Sequence, residues 1–238
     1  MRGDVVDVST SLAIVIPVLD EAATLAQRLL ALEPLRQRGA SVVVVDGGSA
    51  DDTLAIARKH ADVALVAPRG RGAQMNAGAR ACTAGVLLFL HADTTLPDKA
   101  DTLVLESLQG GSIWGRFDVR IDSQRPIFRC IESMMNWRSR WSGIATGDQA
   151  VFVRRDAFDL AGGFPDIPLM EDIALSRGLK RIAPPVCLRD WVITSARRWE
   201  RHGVWRTVLL MWRLRAAYFL GADPASLAVQ YGYVPRSL

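Results

Sequence analysis

The chain has 238 residues, half of them hydrophobic and 23% charged, the composition of a globular protein with a sizeable core in one large domain or two small ones. Its net charge of +4 is too modest to argue for nucleic acid, and suits a phosphate-bearing ligand or an anionic membrane surface. No window approaches the roughly 18 consecutive apolar residues of a membrane span.

In chain order, strand-like apolar runs fall at about 12–17, 41–46, 62–67 and 85–91, and helical patterns at about 20–38, 51–60 and 72–83 lie between them. This alternation predicts an α/β fold with a mostly parallel central sheet flanked by helices, its first half Rossmann-like. Ser49 with Asp52 three residues later has the form of a capping box, placing a helix start just after the DGGS turn. Beyond residue 93 the pattern loosens. A helix is expected near 97–109, a strand at 112–121, an aromatic-rich helix at about 125–142, a strand at 149–155, a short helix within 155–165 and an amphipathic one from Glu171. A last helix spans about 199–220, with Val204, Trp205, Val208, Leu209, Met211, Trp212, Ala216, Tyr218 and Phe219 on one broad face, which Arg215 interrupts. A basic, Trp-bearing helix of this kind either lies in a membrane interface or packs on the protein's own core.

Acidic residues stand where the apolar runs end, and ligands of open α/β sheets bind at the carboxyl ends of strands. Asp46, before Gly47 and Gly48, can bind a base or ribose, or simply cap its turn. Pro17, Asp20 and Glu21 end the preceding strand and can flank the same base. Asp93 in LLFLHAD follows a wholly apolar strand, in position to hold Mg²⁺ or Mn²⁺ against a diphosphate, with His91 as a second ligand. The plainer alternatives are a hydrogen-bonded histidine and a helix cap. RGRG at 69–72, with Arg71, forms a basic turn before a helix suited to phosphate contact, and Asn76 follows on that helix. Glu171 and Asp172 open their helix, as acids often do for dipole reasons alone; Asp172 is the candidate general base and Asp148 its rival. Arg198 can clamp a leaving diphosphate, and Trp199 can stack on a sugar.

Together these motifs resemble family 2 glycosyltransferases of the GT-A fold. IVIPVLDEAATL is similar to the family's opening strand, VVVVDGGSADDT to its VDDGSxDxT, LLFLHAD to its FLDAD metal motif, MED to its base motif and ARRW to the end of its QxxRW. The likeness runs from about residue 12 to 200, and within the family is nearest to a compact bacterial subgroup named for genomic association with radical-SAM and selenium-related domains. The resemblance implies Asp46 at the nucleotide base, Asp93 at metal and diphosphate, Asp172 as base of an inverting transfer, and Arg198 and Trp199 near leaving group and acceptor. Three positions depart from it: Gly47 replaces the second Asp of the DD pair, His91 the first Asp of the metal motif, and Ser195 the Gln.

The expectation is therefore one glycosyltransferase domain, with a nucleotide half (11–93), an acceptor half (94–198) and a C-terminal helix and tail (199–238). It would take a nucleotide-sugar, foremost a UDP-sugar, with Mn²⁺ or Mg²⁺, and pass the sugar to a hydroxyl acceptor. The opening MRGDVVDVSTS lacks the apolar segment of a secretory signal, and Cys82, Cys130 and Cys187 lack any CxxC spacing, so a cytoplasmic protein is expected, touching a membrane through its last helix if at all. A sugar-phosphate nucleotidyltransferase is the alternative, weakened because PVLDEAAT lacks the glycine-rich basic loop of that class. An RNA-binding module is a third, without the aromatic-basic sheet motif it would need.

Overall fold

The structure is a computed structural model that describes residues 11–233, apart from the side chain of Arg198. One eight-stranded sheet runs through it in the order β3-β2-β1-β4-β7-β6-β8-β5. The first four are β1 (Leu12–Val18), β2 (Ser41–Asp46), β3 (Val63–Val66) and β4 (Val86–Phe89), all parallel. β5 (Thr94–Thr95), β6 (Trp114–Asp122), β7 (Phe152–Arg154) and β8 (Val186–Ser195) complete it. β7 is antiparallel to both β4 and β6, while β6 and β8 pair in parallel.

The apolar runs exist because the sheet is covered on both faces, so both phases of the two-residue alternation must be hydrophobic. Leu12, Ile14 and Ile16 of β1 join Val42, Val44, Leu88 and Phe117 on one face. Ala13 and Val15 join Val43, Val45, Leu87 and Phe89 on the other. The first face is covered by α1 (Ala22–Leu30), α2 (Glu33–Gln37), α3 (Thr53–His60) and α5 (Ala100–Gln109), through residues such as Leu25, Leu35, Ala57 and Val104. The second is covered by α4 (Arg71–Arg80), α7 (Arg155–Leu160) and α8 (Glu171–Ile182), through Met75, Phe158 and Leu179. α6 (Pro126–Ser142), α9 (Arg197–His202), α10 (Val204–Phe219) and α11 (Pro224–Tyr231) are the remaining described α-helices. Leu214 and Leu227, of the last two, pack with Leu169 and Ile173.

Several expectations are corrected. The single helix at 20–38 is two, because Pro34 lacks an amide hydrogen and fits only the first turn of a new helix. Ser49 does not cap α3: the N-cap is Asp52, without a side-chain hydrogen bond, while the Ser49 hydroxyl donates to Asp46 inside the turn. The last helix is interrupted at Gly203 (φ +83°), separating α9 from α10. Its apolar face is divided as well. Val204 and Leu214 are buried, whereas Trp205, Leu209, Trp212 and Phe219 face solvent. Among the strands and α-helices, β5, β8 and α11 escaped the sequence reading altogether.

Candidate functional site

A cleft of about 320 Å³ opens at the carboxyl ends of β1 and β4. Pro17, Val18 and Glu21 form one wall, Arg69 to Arg71 and Gln74 a second, His91 and Asp93 a third, and Leu169 with Tyr231 and Tyr233 close it. The arrangement follows from topology: parallel strands end at one edge, and the loops leaving them converge there. Gln74 shapes the floor. Its buried amide donates to the carbonyls of Val18 (2.9 Å) and Val45 (2.8 Å) and accepts from the Gly70 amide (3.3 Å), tying two strand ends to the basic turn. A Cβ on Gly47 would come within 3.1 Å of that amide, so glycine at this position makes room for Gln74.

Asp46 does not line the cleft. It is buried in its own turn, where one oxygen accepts from the Gly48 (3.1 Å) and Ser49 (3.0 Å) amides and the other from the Ser49 hydroxyl. Gly48 is an exposed corner of that turn at φ +89°. Asp20, also at positive φ, accepts from the Ala50 amide (2.8 Å) and braces the turn from the β1 side. Asn76 makes a two-way bond with the Phe164 backbone (2.7 and 3.0 Å), joining α4 to the segment before α8, away from the cleft. Of the residues expected around the base, Pro17 and Glu21 alone reach the cleft.

The catalytic candidates do come together. Arg71 Nε lies 2.8 Å from Glu171 Oε1, so a cleft residue holds the start of α8. Glu171 is fully buried and its other oxygen has no partner; burial pushes its carboxyl up, against the pull of the Arg71 guanidinium. Asp172 accepts from the Gly147 amide (2.8 Å) and from its own neighbour Ile173 (2.7 Å), which couples α8 to the 3-10 turn Gly147–Gln149. Met170, before them, is held in the left-handed region at φ +69°. Asp148 of the same turn meets His91, with Nδ1 to Oδ1 at 3.5 Å. Burial works to lower the imidazole pKa, but the hydrogen bond it donates to Asp148 and the charges of Asp148 and Asp93 outweigh it and the net direction is up. Burial likewise works to raise Asp148, and His91 pulls it below the ordinary carboxylate value. Gly147 permits this approach, since a Cβ there would overlap the His91 ring.

On the far side of Asp148 is a second depression, a groove of about 410 Å³ between α6 and α10. Ile131, Met135, Trp137, Val208, Met211 and Trp212 contribute apolar wall, and Arg138 and Arg215 its cations. Trp199 opens onto this groove, edge-on to Phe128 at 6.3 Å, and not onto the cleft. Arg198, the guanidinium expected at the leaving group, has its side chain outside the described residues. Its neighbour Arg197 reaches Glu21 at 3.7 Å. Tyr231, Tyr233 and Arg138 were missed from the sequence. Arg215 left a signal there, as a cation interrupting an apolar helix face.

Among the described residues no three His, Cys, Asp or Glu side chains gather into a metal cage. Asp93 and His91 supply one hard and one borderline donor at the cleft, a set that fits a divalent cation only when the ligand's own oxygens complete the shell.

A sequence model described as glycosyl transferase family 2 matches residues 13–164. The chain belongs to glycosyl transferase family 2. No curated protein matches it. Among solved structures, this family 2 member is similar to Staphylococcus aureus TarS 1-349, with a TM-score of 0.64 at 16% identity over 78% of this chain and 60% of that one. It is similar to the Pyrobaculum calidifontis mannosyltransferase PcManGT, solved with GDP-Man and Mn²⁺, with a TM-score of 0.61 at 21% identity over 94% and 65%. A third is the Mycobacterium tuberculosis glucosyl-3-phosphoglycerate synthase in complex with Mn²⁺, UDP and glucosyl-3-phosphoglycerate, with a TM-score of 0.60 at 17% identity over 95% and 81%. The chain thus spans about three fifths of the TarS fragment and 65% of PcManGT. At such identities the likeness carries the GT-A fold, and function must be argued from the site.

Proposed function

We propose that this family 2 member is an inverting glycosyltransferase that moves a sugar from a nucleoside diphosphate donor, foremost a UDP-sugar, to an acceptor hydroxyl. The observation that carries this reading is the wall formed by His91 and Asp148, with a cleft bearing Arg69, Arg71 and Asp93 on one side and an apolar groove on the other. A donor in the cleft and an acceptor in the groove would meet at that wall. The solved relatives that bind UDP or GDP-Man with a divalent ion support the donor class.

In the transfer, the acceptor oxygen bonds to the anomeric carbon as that carbon's bond to the diphosphate breaks. The electron pair leaves with the nucleoside diphosphate and the hydroxyl proton passes to a carboxylate. We assign that proton to Asp172, which the Gly147 amide fixes beside the wall while its α8 position keeps it half-buried. Asp93 and His91 would hold one divalent cation, Mn²⁺ or Mg²⁺, which supplies charge neutralisation on the departing diphosphate. Arg69 and Arg71 add fixed positive charge at the same wall of the cleft, and Tyr231 and Tyr233 screen it from water. Asp148 holds the His91 ring in place.

Within the family, we read the chain as a member of the compact subgroup named for radical-SAM and selenium-related domains, a reading that the motif resemblance supports. No described helix is long and apolar enough to cross a membrane. Exposed Trp205, Leu209 and Trp212, with Arg206 and Arg213 on the same helix, support contact with an anionic cytoplasmic membrane face. The test of the transferase reading is hydrolysis of a panel of nucleotide-sugars by the full chain. Slow release of UDP or GDP from one sugar in preference to others is expected; no release from any donor, with or without Mn²⁺, would count against it.

A further inference from the structure

The groove between α6 and α10 carries more than apolar wall. Arg138 Nε and Nη2 and Arg215 Nε are buried and have no hydrogen-bond partner, and the remaining Arg138 nitrogen has only a long 3.5 Å contact to the Ile144 carbonyl. Asp148, on the wall of the same groove, acts on both by charge, but neither guanidinium makes a direct ion pair with a carboxylate among the described residues. Burial, and then the like charge of Arg215, pushes Arg138 down to about 10, against the pull of the Asp172 and Asp148 carboxylates. Buried guanidinium nitrogens with unmet donors, on two like-charged groups lining one groove, are costly to a fold unless an anion completes them.

Around them the surface is of the opposite character. Trp137 and Trp212 are mostly exposed, and the Trp137 ring stacks on Trp141 at 6.2 Å with the planes 2° apart. Met134, Met135 and Met211 line the same groove, flexible side chains that adapt to a chain-like apolar ligand. At about 410 Å³ it falls within the roughly 300–1,000 Å³ range of small-molecule sites. An occupant complementary to both parts needs a negative headgroup and an apolar chain.

We propose that the groove is the acceptor site and takes an amphiphile with an anionic headgroup, its charge between Arg138 and Arg215, its chain along Trp137, Met211 and Trp212, and its hydroxyl at the Asp148 wall. The assignment rests on the transferase reading above. It narrows the acceptor from any hydroxyl compound to a single chemical class.

The probes are octyl phosphate, octanol and inorganic phosphate, titrated into the full chain and read by calorimetry and tryptophan fluorescence. Octyl phosphate is expected to bind about tenfold or more tightly than either of the others, because only it meets both halves of the groove. Arg138→Met and Arg215→Met should each reduce octyl phosphate affinity by about tenfold, and Met211→Trp, which fills the groove, should weaken octyl phosphate and octanol together. Equal binding of all three probes to the wild-type protein overturns the assignment without recourse to any variant; so does octanol binding as well as octyl phosphate, or phosphate as well as either. Nucleotide-sugar hydrolysis is measured alongside. Intact hydrolysis with no headgroup discrimination defeats the acceptor assignment alone, whereas absent hydrolysis defeats the transferase reading itself.

Discussion

His91 Nδ1 stands 3.5 Å from Asp148 Oδ1, and this pair is the partition between a polar cleft and an apolar groove. The pair depends on a residue with no side chain: Gly147 leaves the space that the imidazole occupies. Gly147→Ala should therefore displace the ring while sparing the sheet. The expected outcome is a fall in donor hydrolysis of about 10²-fold, with thermal stability reduced far less than by a core cavity. Steady-state kinetics and a thermal melt on the same sample check it.

Two carboxylates compete for the acceptor proton. Asp172→Asn preserves shape and the position of the α8 start but removes a base, so kcat should fall by about 10²–10⁴-fold with UDP affinity unchanged. Asp148→Asn should disturb the His91 ring and raise the apparent KM for the donor more than it lowers kcat. Full activity in Asp172→Asn, beside a collapse of kcat in Asp148→Asn, would transfer the role to Asp148.

Gln74 joins three pieces of backbone beneath the cleft. Gln74→Ala leaves the Val18 and Val45 carbonyls without this partner and should cost about 1–3 kcal/mol in chemical denaturation. Gly47→Asp should cost a similar amount, because its side chain would enter the space of the Gln74 amide. Restoring the family's paired aspartates without also changing Gln74 is therefore expected to fail as an improvement.

Asp62 gives a pH signature remote from the site. Arg36 holds its carboxyl below the ordinary value of 3.8, through bonds of 3.1 and 2.5 Å, and the Val42 amide adds another at 2.7 Å. A depressed folded-state pKa contributes stability above the unfolded value and loses it as pH falls through the lowered one. The melting temperature of Asp62→Asn should thus lie below that of the wild type at neutral pH, with the gap closing as pH falls below 3.8. A constant gap from neutral pH to pH 3 would contradict the linkage.

The sequence made the parallel half of the sheet legible because β1, β2 and β4 are buried on both faces, and such strands carry no polar interruption. β8 was hidden for the opposite reason. Phe117 pairs with Leu188 and Asp118 with Trp191, so Arg189 and Asp190 bulge out and interrupt the apolar run in mid-strand. At the site, acids following strands pointed to Asp93, and the helix-start pair to Glu171 and Asp172. Asp46 shows the limit of that logic, since a carboxylate at a strand end serves its own turn as readily as a ligand. Tyr231 and Tyr233 come from a distant segment, and Arg138 from a helix read by its aromatics; only tertiary packing brings them to the cleft and the groove.

In the proposed transfer Asp93 and a nucleoside diphosphate share one cation in the cleft. Calorimetric titration of UDP into the protein, with Mn²⁺ and again with a chelator, tests it most directly. Binding should be strong with Mn²⁺, weaken by about tenfold or more with the chelator, and become insensitive to Mn²⁺ in Asp93→Ala. UDP affinity that is the same with metal, with chelator and in Asp93→Ala would contradict it.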